Sequence, residues 1–128
     1  MRRSQRLAQI AARAATEKKA FDIQILDIGD LLVITDYFVI CSGNNVRQVK
    51  TISEFVQEKL AKEKVYPLSV EGGKEAKWVL LDYVDFVIHI FLEQEREYYQ
   101  LERLWKDAPL VEWEEEKVAS KKGARRKQ

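Results

Sequence analysis

The chain has 128 residues, 22 Lys plus Arg against 21 Asp plus Glu for a formal net charge of +1, and 46% hydrophobic residues. That is enough for one core of ~100 residues plus tails, and it excludes wholesale disorder. The longest uncharged run, 37–46, contains Ser42, Gly43, Asn44 and Asn45; it is far short of the ~20 apolar residues of a membrane span, and with no apolar stretch behind Arg2, Arg3 and Arg6 the chain reads as cytoplasmic.

Residues 1–20 carry six bases and one acid, net +5. Within them 4–19 is a predicted helix, with Ser4 as cap, Leu7, Ile10, Ala11 and Ala14 as its apolar stripe, and abundant alanine. Alternation near period two makes 21–28 a first strand. After Gly29-Asp30, the continuous run Tyr37-Phe38-Val39-Ile40 within 35–41 reads as a strand covered on both faces. Residues 31–34 fit either a short helix or an extension of that strand. Ser42-Gly43-Asn44-Asn45 breaks the strand and caps a helix running to about residue 63, with Val49, Ile52, Val56 and Leu60 as its stripe. Tyr66-Pro67 ends that helix, and 67–70 begins a third strand, stopped at Gly72-Gly73. Strands 77–81 and 86–91 follow, joined by the hairpin turn Asp82-Tyr83-Val84-Asp85. A last helix, 93–105, puts Tyr98, Leu101 and Trp105 on one face, and Asp107-Ala108-Pro109 stops it. Residues 117–128 add six bases and no acid, net +6, which leaves 10 bases against 20 acids, net −10, in 21–116.

The economical architecture is α/β (α+β), a single mixed five-stranded sheet flanked by helices. In it 1–20 forms part of the domain, 21–109 is the core with its C-terminal helix, and 110–128 is a charged, disordered tail. The acidic body favours a basic protein, whereas the basic tails suit nucleic acid without base specificity.

Two catalytic readings can be weighed. Ser42-Gly43 opens a helix where backbone N–H groups can hold a triphosphate, and Asp82 and Asp85 can hold magnesium, as nucleotidyl transfer requires. Two aspartates sharing metals from one strand face need i and i+2 placement, however, and these stand three apart across a turn. Cys41 and His89 suggest a nucleophile and base, but nothing in the sequence brings them together, and one Cys with one His forms neither a disulfide nor a zinc cluster. No cofactor or metal is expected.

Trp78 is the stronger signal. Alternation sets Trp78, Leu80 and Asp82 on one face of their strand and Lys77, Val79 and Leu81 on the other. An open face with an exposed Trp beside acids would bind a protein; a covered face would make Trp78 core. On the last helix Tyr98, Tyr99, Leu104 and Trp105 cannot all share one stripe, so part of that set is expected to meet a second copy of the chain.

The stretch Thr35-Asp36-Tyr37-Phe38-Val39-Ile40-Cys41-Ser42-Gly43-Asn44, with Arg47-Gln48-Val49, Glu71-Gly72, Trp78-Val79-Leu80-Leu81-Asp82-Tyr83, Asp85-Phe86-Val87-Ile88-His89-Ile90-Phe91 and the run from Arg96 to Trp105, resembles the Iojap-like ribosomal silencing factors. The resemblance covers residues 4 to about 107. It implies a non-enzymatic protein, nucleotidyltransferase-like in fold but without the active site, and a homodimer when free. It implies binding to the large ribosomal subunit through ribosomal protein number fourteen, which blocks subunit joining and represses translation under nutrient limitation. Glu71, Gly72, Lys77, Trp78, Leu81, Asp82, Tyr83 and Asp85 are then the expected partner-binding residues, and the basic tails would approach ribosomal RNA. The alternatives are a nucleotidyltransferase-like enzyme and an RNA-binding module led by those tails. One departure stands out: the family has glycine where Val84 precedes Asp85, and a positive φ there would be costly for valine.

Overall fold

The computed structural model describes residues 2–114, in the order α1 (Arg3–Glu17), β1 (Phe21–Asp27), β2 (Tyr37–Gly43), α2 (Val46–Ala61), β3 (Ser69–Glu71), β4 (Trp78–Asp82), β5 (Phe86–Leu92), α3 (Glu93–Tyr99) and α4 (Leu101–Leu104). The strands form one mixed five-stranded sheet of order β1-β2-β5-β4-β3. Only β2 and β5 pair in parallel, at its centre; the other three pairings are antiparallel. All seven residues of β2 are buried, as its unbroken apolar run requires.

One face of the sheet is closed by α1 and α2. Ala8, Ala11 and Ala12 of α1 are fully buried, and small side chains there let the helix lie close to its neighbours. Against these helices pack Ile25, Tyr37, Val39, Cys41, Val79, Leu81, Phe86, Ile88 and Ile90. The opposite face has a smaller cluster, Leu26, Ile28, Phe38, Ile40, Phe91 and Ala108, with Leu32, Trp78, Val87, Leu101 and Trp105 packed on it.

Several expectations need correcting. Ser4 does not cap α1; the N-cap is Arg2, which makes no side-chain cap bond. Residues 31–34 are neither helix nor strand but a run of turns. The helix expected over 93–105 breaks at Gln100 (φ 47°), which separates α3 from α4 and puts Tyr98 in solvent, away from Leu101 and Trp105. Arg96 holds the break together. Buried, it donates through Nε to the Glu102 carboxylate at 3.1 Å and through Nη1 to Ser42 Oγ at 2.8 Å.

The boundary expected at 110 also moves. Residues 109–113 lie along the free edge of β1: Asp27 N–H donates to the Pro109 carbonyl (2.8 Å) and Val111 N–H to the Ile25 carbonyl (2.9 Å). Gln9 and Arg13 of α1 donate to the Glu112 and Trp113 carbonyls, and Val111 and Trp113 pack against the main core. The basic run 117–128 lies outside the described residues.

Candidate functional site

The groups considered for catalysis do not converge. Cys41 sits on the helix-covered face, and burial pushes its thiol up to about 12. His89, next along β5 to the Ile90 that faces Cys41 in register, therefore points to the other side of the sheet. At the start of α2, Asn45 Oδ1 accepts from Gln48 N–H, while Gln48 Oε1 accepts from Asn44 N–H and its Nε2 donates to the Lys18 and Lys19 carbonyls. Those amides are thus engaged within the chain, and Ser42 is taken by Arg96. Asp82 Oδ1 accepts from Val84 N–H at 2.8 Å, the work of a turn former. Among the described residues no three His, Cys, Asp or Glu side chains gather in a metal-holding group, and no helix is long and apolar enough to cross a membrane.

The face away from α1 and α2 is different, because it is only partly covered. At its centre the Trp78 ring lies 4.7 Å from Phe91 and 4.8 Å from Tyr99, and Trp78 Nε1 donates to His89 Nδ1 at 3.2 Å. His89 meets Phe38 edge-on at 4.6 Å, and Phe38 meets Trp105 at 5.8 Å. The aromatic row runs from Tyr99 of α3 through β4, β5 and β2 to Trp105, just past α4. Trp78 is half-buried in consequence: it belongs both to the smaller core and to the surface.

Beside this row a groove of about 360 Å³ runs between the 32–35 turn and β3. It is lined by Leu32, Ile34, Phe38, Leu68, Leu80 and Val87, by the buried Thr35 and His89, and by Glu71 and Asp82. Ile34 and Leu68 are 79% and 73% exposed, an unusual cost for large aliphatic groups on a small chain. Gly72 makes the adjoining turn possible: its φ is 78°, and a Cβ there would collide with the Trp78 carbonyl oxygen.

The expected partner-binding residues divide. Glu71, Gly72, Lys77 and Asp85 are exposed, and Trp78 and Asp82 are partly so. Leu81 is fully buried under α2, as strict alternation from Trp78 demands, and presents nothing to a partner. Tyr83 is also buried on the helix side, stacked on Phe86 at 4.9 Å, and burial pushes its phenol up to about 12. The groove residues Ile34, Leu68 and Leu80 were not expected. The alternation of Leu80 with Trp78 pointed to that face, but nothing in the sequence aligned it with residues 34 and 68. Of the residues expected at a second copy, Tyr98, Tyr99 and Leu104 are exposed, while Trp105 packs against Phe38.

A family model described as "Ribosomal silencing factor during starvation" matches residues 1–128. A Bacillus subtilis ribosomal silencing factor is 42% identical over 83% of this chain and 90% of its own length. The maize chloroplast protein Iojap is 34% identical over 79% of this chain and 44% of its own. Among solved structures, a Chromobacterium violaceum protein superposes with a TM-score of 0.77 at 34% identity, covering 80% of this chain and 85% of that one. A Bacillus halodurans protein gives 0.74 at 37% identity over 84% and 98%. With the family model matched from end to end and the fold shared at this identity, the chain belongs to the ribosomal silencing factor family.

Proposed function

We propose that this protein binds the large ribosomal subunit through ribosomal protein number fourteen and, by occupying the face where the small subunit docks, blocks subunit joining and represses translation when nutrients are short. It acts in the cytoplasm and without catalysis. The observation that carries this reading is the half-covered sheet face, where Trp78 and the apolar groove lie beside Glu71 and Asp82. Such a face suits a basic, partly apolar protein surface, since charge orients the encounter and aromatic burial holds it. Family membership supports the ribosomal assignment, and a mouse relative, 33% identical, is named for mitochondrial assembly of the ribosomal large subunit. In the free state the exposed Tyr98, Tyr99 and Leu104, with Trp105 behind them, pack against a second copy.

The test uses purified subunits, with joining followed by light scattering. Excess protein should suppress joining, and Trp78→Ala should weaken binding to the large subunit ~30-fold or more, the loss of a central aromatic anchor. Because Trp78 packs on Phe91 and Tyr99, its truncation also lowers thermal stability. Glu71→Lys, at an exposed site, supplies a folded control with the same direction of effect. Joining that proceeds equally well with and without a large excess overturns the proposal.

A further inference from the structure

The groove carries an observation that apolar packing leaves unexplained. Thr35 and His89 line it, are 5% and 4% exposed, and hold buried polar atoms, Thr35 Oγ1 and His89 Nε2, without a hydrogen-bond partner among the described residues. A buried hydroxyl or ring N–H left unpaired costs free energy, so two of them on residues that line one groove mark it as a place where a ligand's polar group would be stabilised. The tautomer follows from Trp78. An indole N–H can only donate, so His89 Nδ1 is the acceptor and the neutral ring carries its proton on Nε2. Thr35 and His89 thus bring to the groove's lining a hydroxyl that can donate or accept and a ring N–H donor. The apolar lining offers space for a branched aliphatic side chain, and Glu71 and Asp82 add negative charge.

We infer that this groove seats an extended segment of a basic protein, in which an aliphatic side chain enters between Ile34, Leu68 and Leu80, a backbone carbonyl accepts from His89 Nε2–H and Thr35 Oγ1–H, and a flanking Lys or Arg meets Glu71 and Asp82. The inference rests on the docking face proposed above and names what that face recognises. Both polar atoms are closed to solvent in the free chain, so the carbonyl reaches them as the lining side chains re-seat around the inserted group, a rotamer-scale change common at interfaces. Glu71 and Asp82 exclude an RNA strand, whose phosphates they would repel.

Two arms test this separately from the ribosomal reading. In the first, binding of purified large subunits is compared for wild type, Thr35→Val and Thr35→Ser. Since the hydroxyl has no partner among the described residues, Thr35→Val should keep or raise the melting temperature yet bind tenfold or more weakly, while Thr35→Ser should bind like wild type. Equal affinity for Thr35→Val, or equal losses for both variants, overturns the inference while leaving wild-type subunit binding intact. In the second, the capped peptides Ac-Lys-Leu-Lys-NH2 and Ac-Glu-Leu-Glu-NH2 are titrated into wild-type protein, and the imidazole resonances of His89, the single histidine of the chain, are followed by NMR. The basic peptide should shift them and the acidic one should not. Equal shifts, or none with either peptide, overturn the inference. A shift with the basic peptide in a protein that fails to bind subunits would sustain the groove and remove the ribosomal reading instead.

Discussion

Val84 sits at the tip of the β4–β5 hairpin with φ 72°, and Asp85 N–H donates to the Tyr83 carbonyl at 2.8 Å, closing a three-residue turn around it. A β-branched residue in that conformation is strained by ~1–3 kcal/mol. Glycine would remove the strain but lose ~0.5–1 kcal/mol through the freer unfolded chain. Val84→Gly should therefore stabilise the protein by about 1 kcal/mol in urea denaturation, and a destabilised variant would mean that valine is accommodated there. His89 is the second case. Burial pulls its pKa down to about 4, whereas the unfolded value is about 6.5. Between those values the unfolded chain binds the extra proton, so stability is fully present above pH ~6.5 and falls by about 1.4 kcal/mol per unit as the pH drops toward 4. Protonation also puts a hydrogen on Nδ1, where Trp78 donates. His89→Gln should lack this component of the acid slope. An NMR titration should show no imidazole protonation between pH 7.5 and 5.5; a midpoint near 6.5 would contradict the buried placement.

At the scale of elements, the strongest patterns were legible. The helical stripe of Val49, Ile52, Val56 and Leu60, the unbroken apolar run of β2 and the alternation in β4 each depend on period alone, and each element forms on its pattern. Even so, β2 runs on through Ser42-Gly43, where a break was expected, and β4 is shifted by one residue. Helix ends were not legible, because the chain uses lysine where glycine is usual. Lys19 and Lys64 adopt φ 66° and 62°, and the amides around them close Schellman-type ends onto Ala15 and Leu60. Gln100 breaks the last helix in the same way, without a Gly or Pro to announce it. The strap 109–113 was hidden for a related reason. Backbone pairing along β1 leaves no period in five residues, and the acids Glu112, Glu114, Glu115 and Glu116 give the segment the composition of a tail. The strap covers a strand edge that would otherwise template association. Val111→Pro deletes the N–H that bonds Ile25, so it should cost ~2 kcal/mol and promote self-association by light scattering. A variant with unchanged stability and no association beyond that of the wild type would show that the edge needs no cover.

For the whole molecule, the distribution of charge decides which encounters are productive. A body at −10 approaching a ribosomal subunit is repelled by the RNA phosphates that dominate its surface, while the ends at +5 and +6 are attracted to them. On the proposed docking, an approach that turns Glu71 and Asp82 beside the groove toward a basic protein satisfies both. In that docking, exposed Glu71 and Asp85 would act on the encounter, and half-buried Trp78 on the lifetime. The double variant Glu71→Gln/Asp85→Asn should lower the association rate several-fold at low salt and flatten its salt dependence, with little change in the dissociation rate. Trp78→Ala should do the reverse and speed dissociation at a nearly unchanged association rate. Stopped-flow mixing of labelled protein with purified large subunits at two ionic strengths separates the two. An association rate indifferent to both salt and the double variant would mean that the acidic body does not steer the complex, leaving shape and aromatic burial as the source of its orientation.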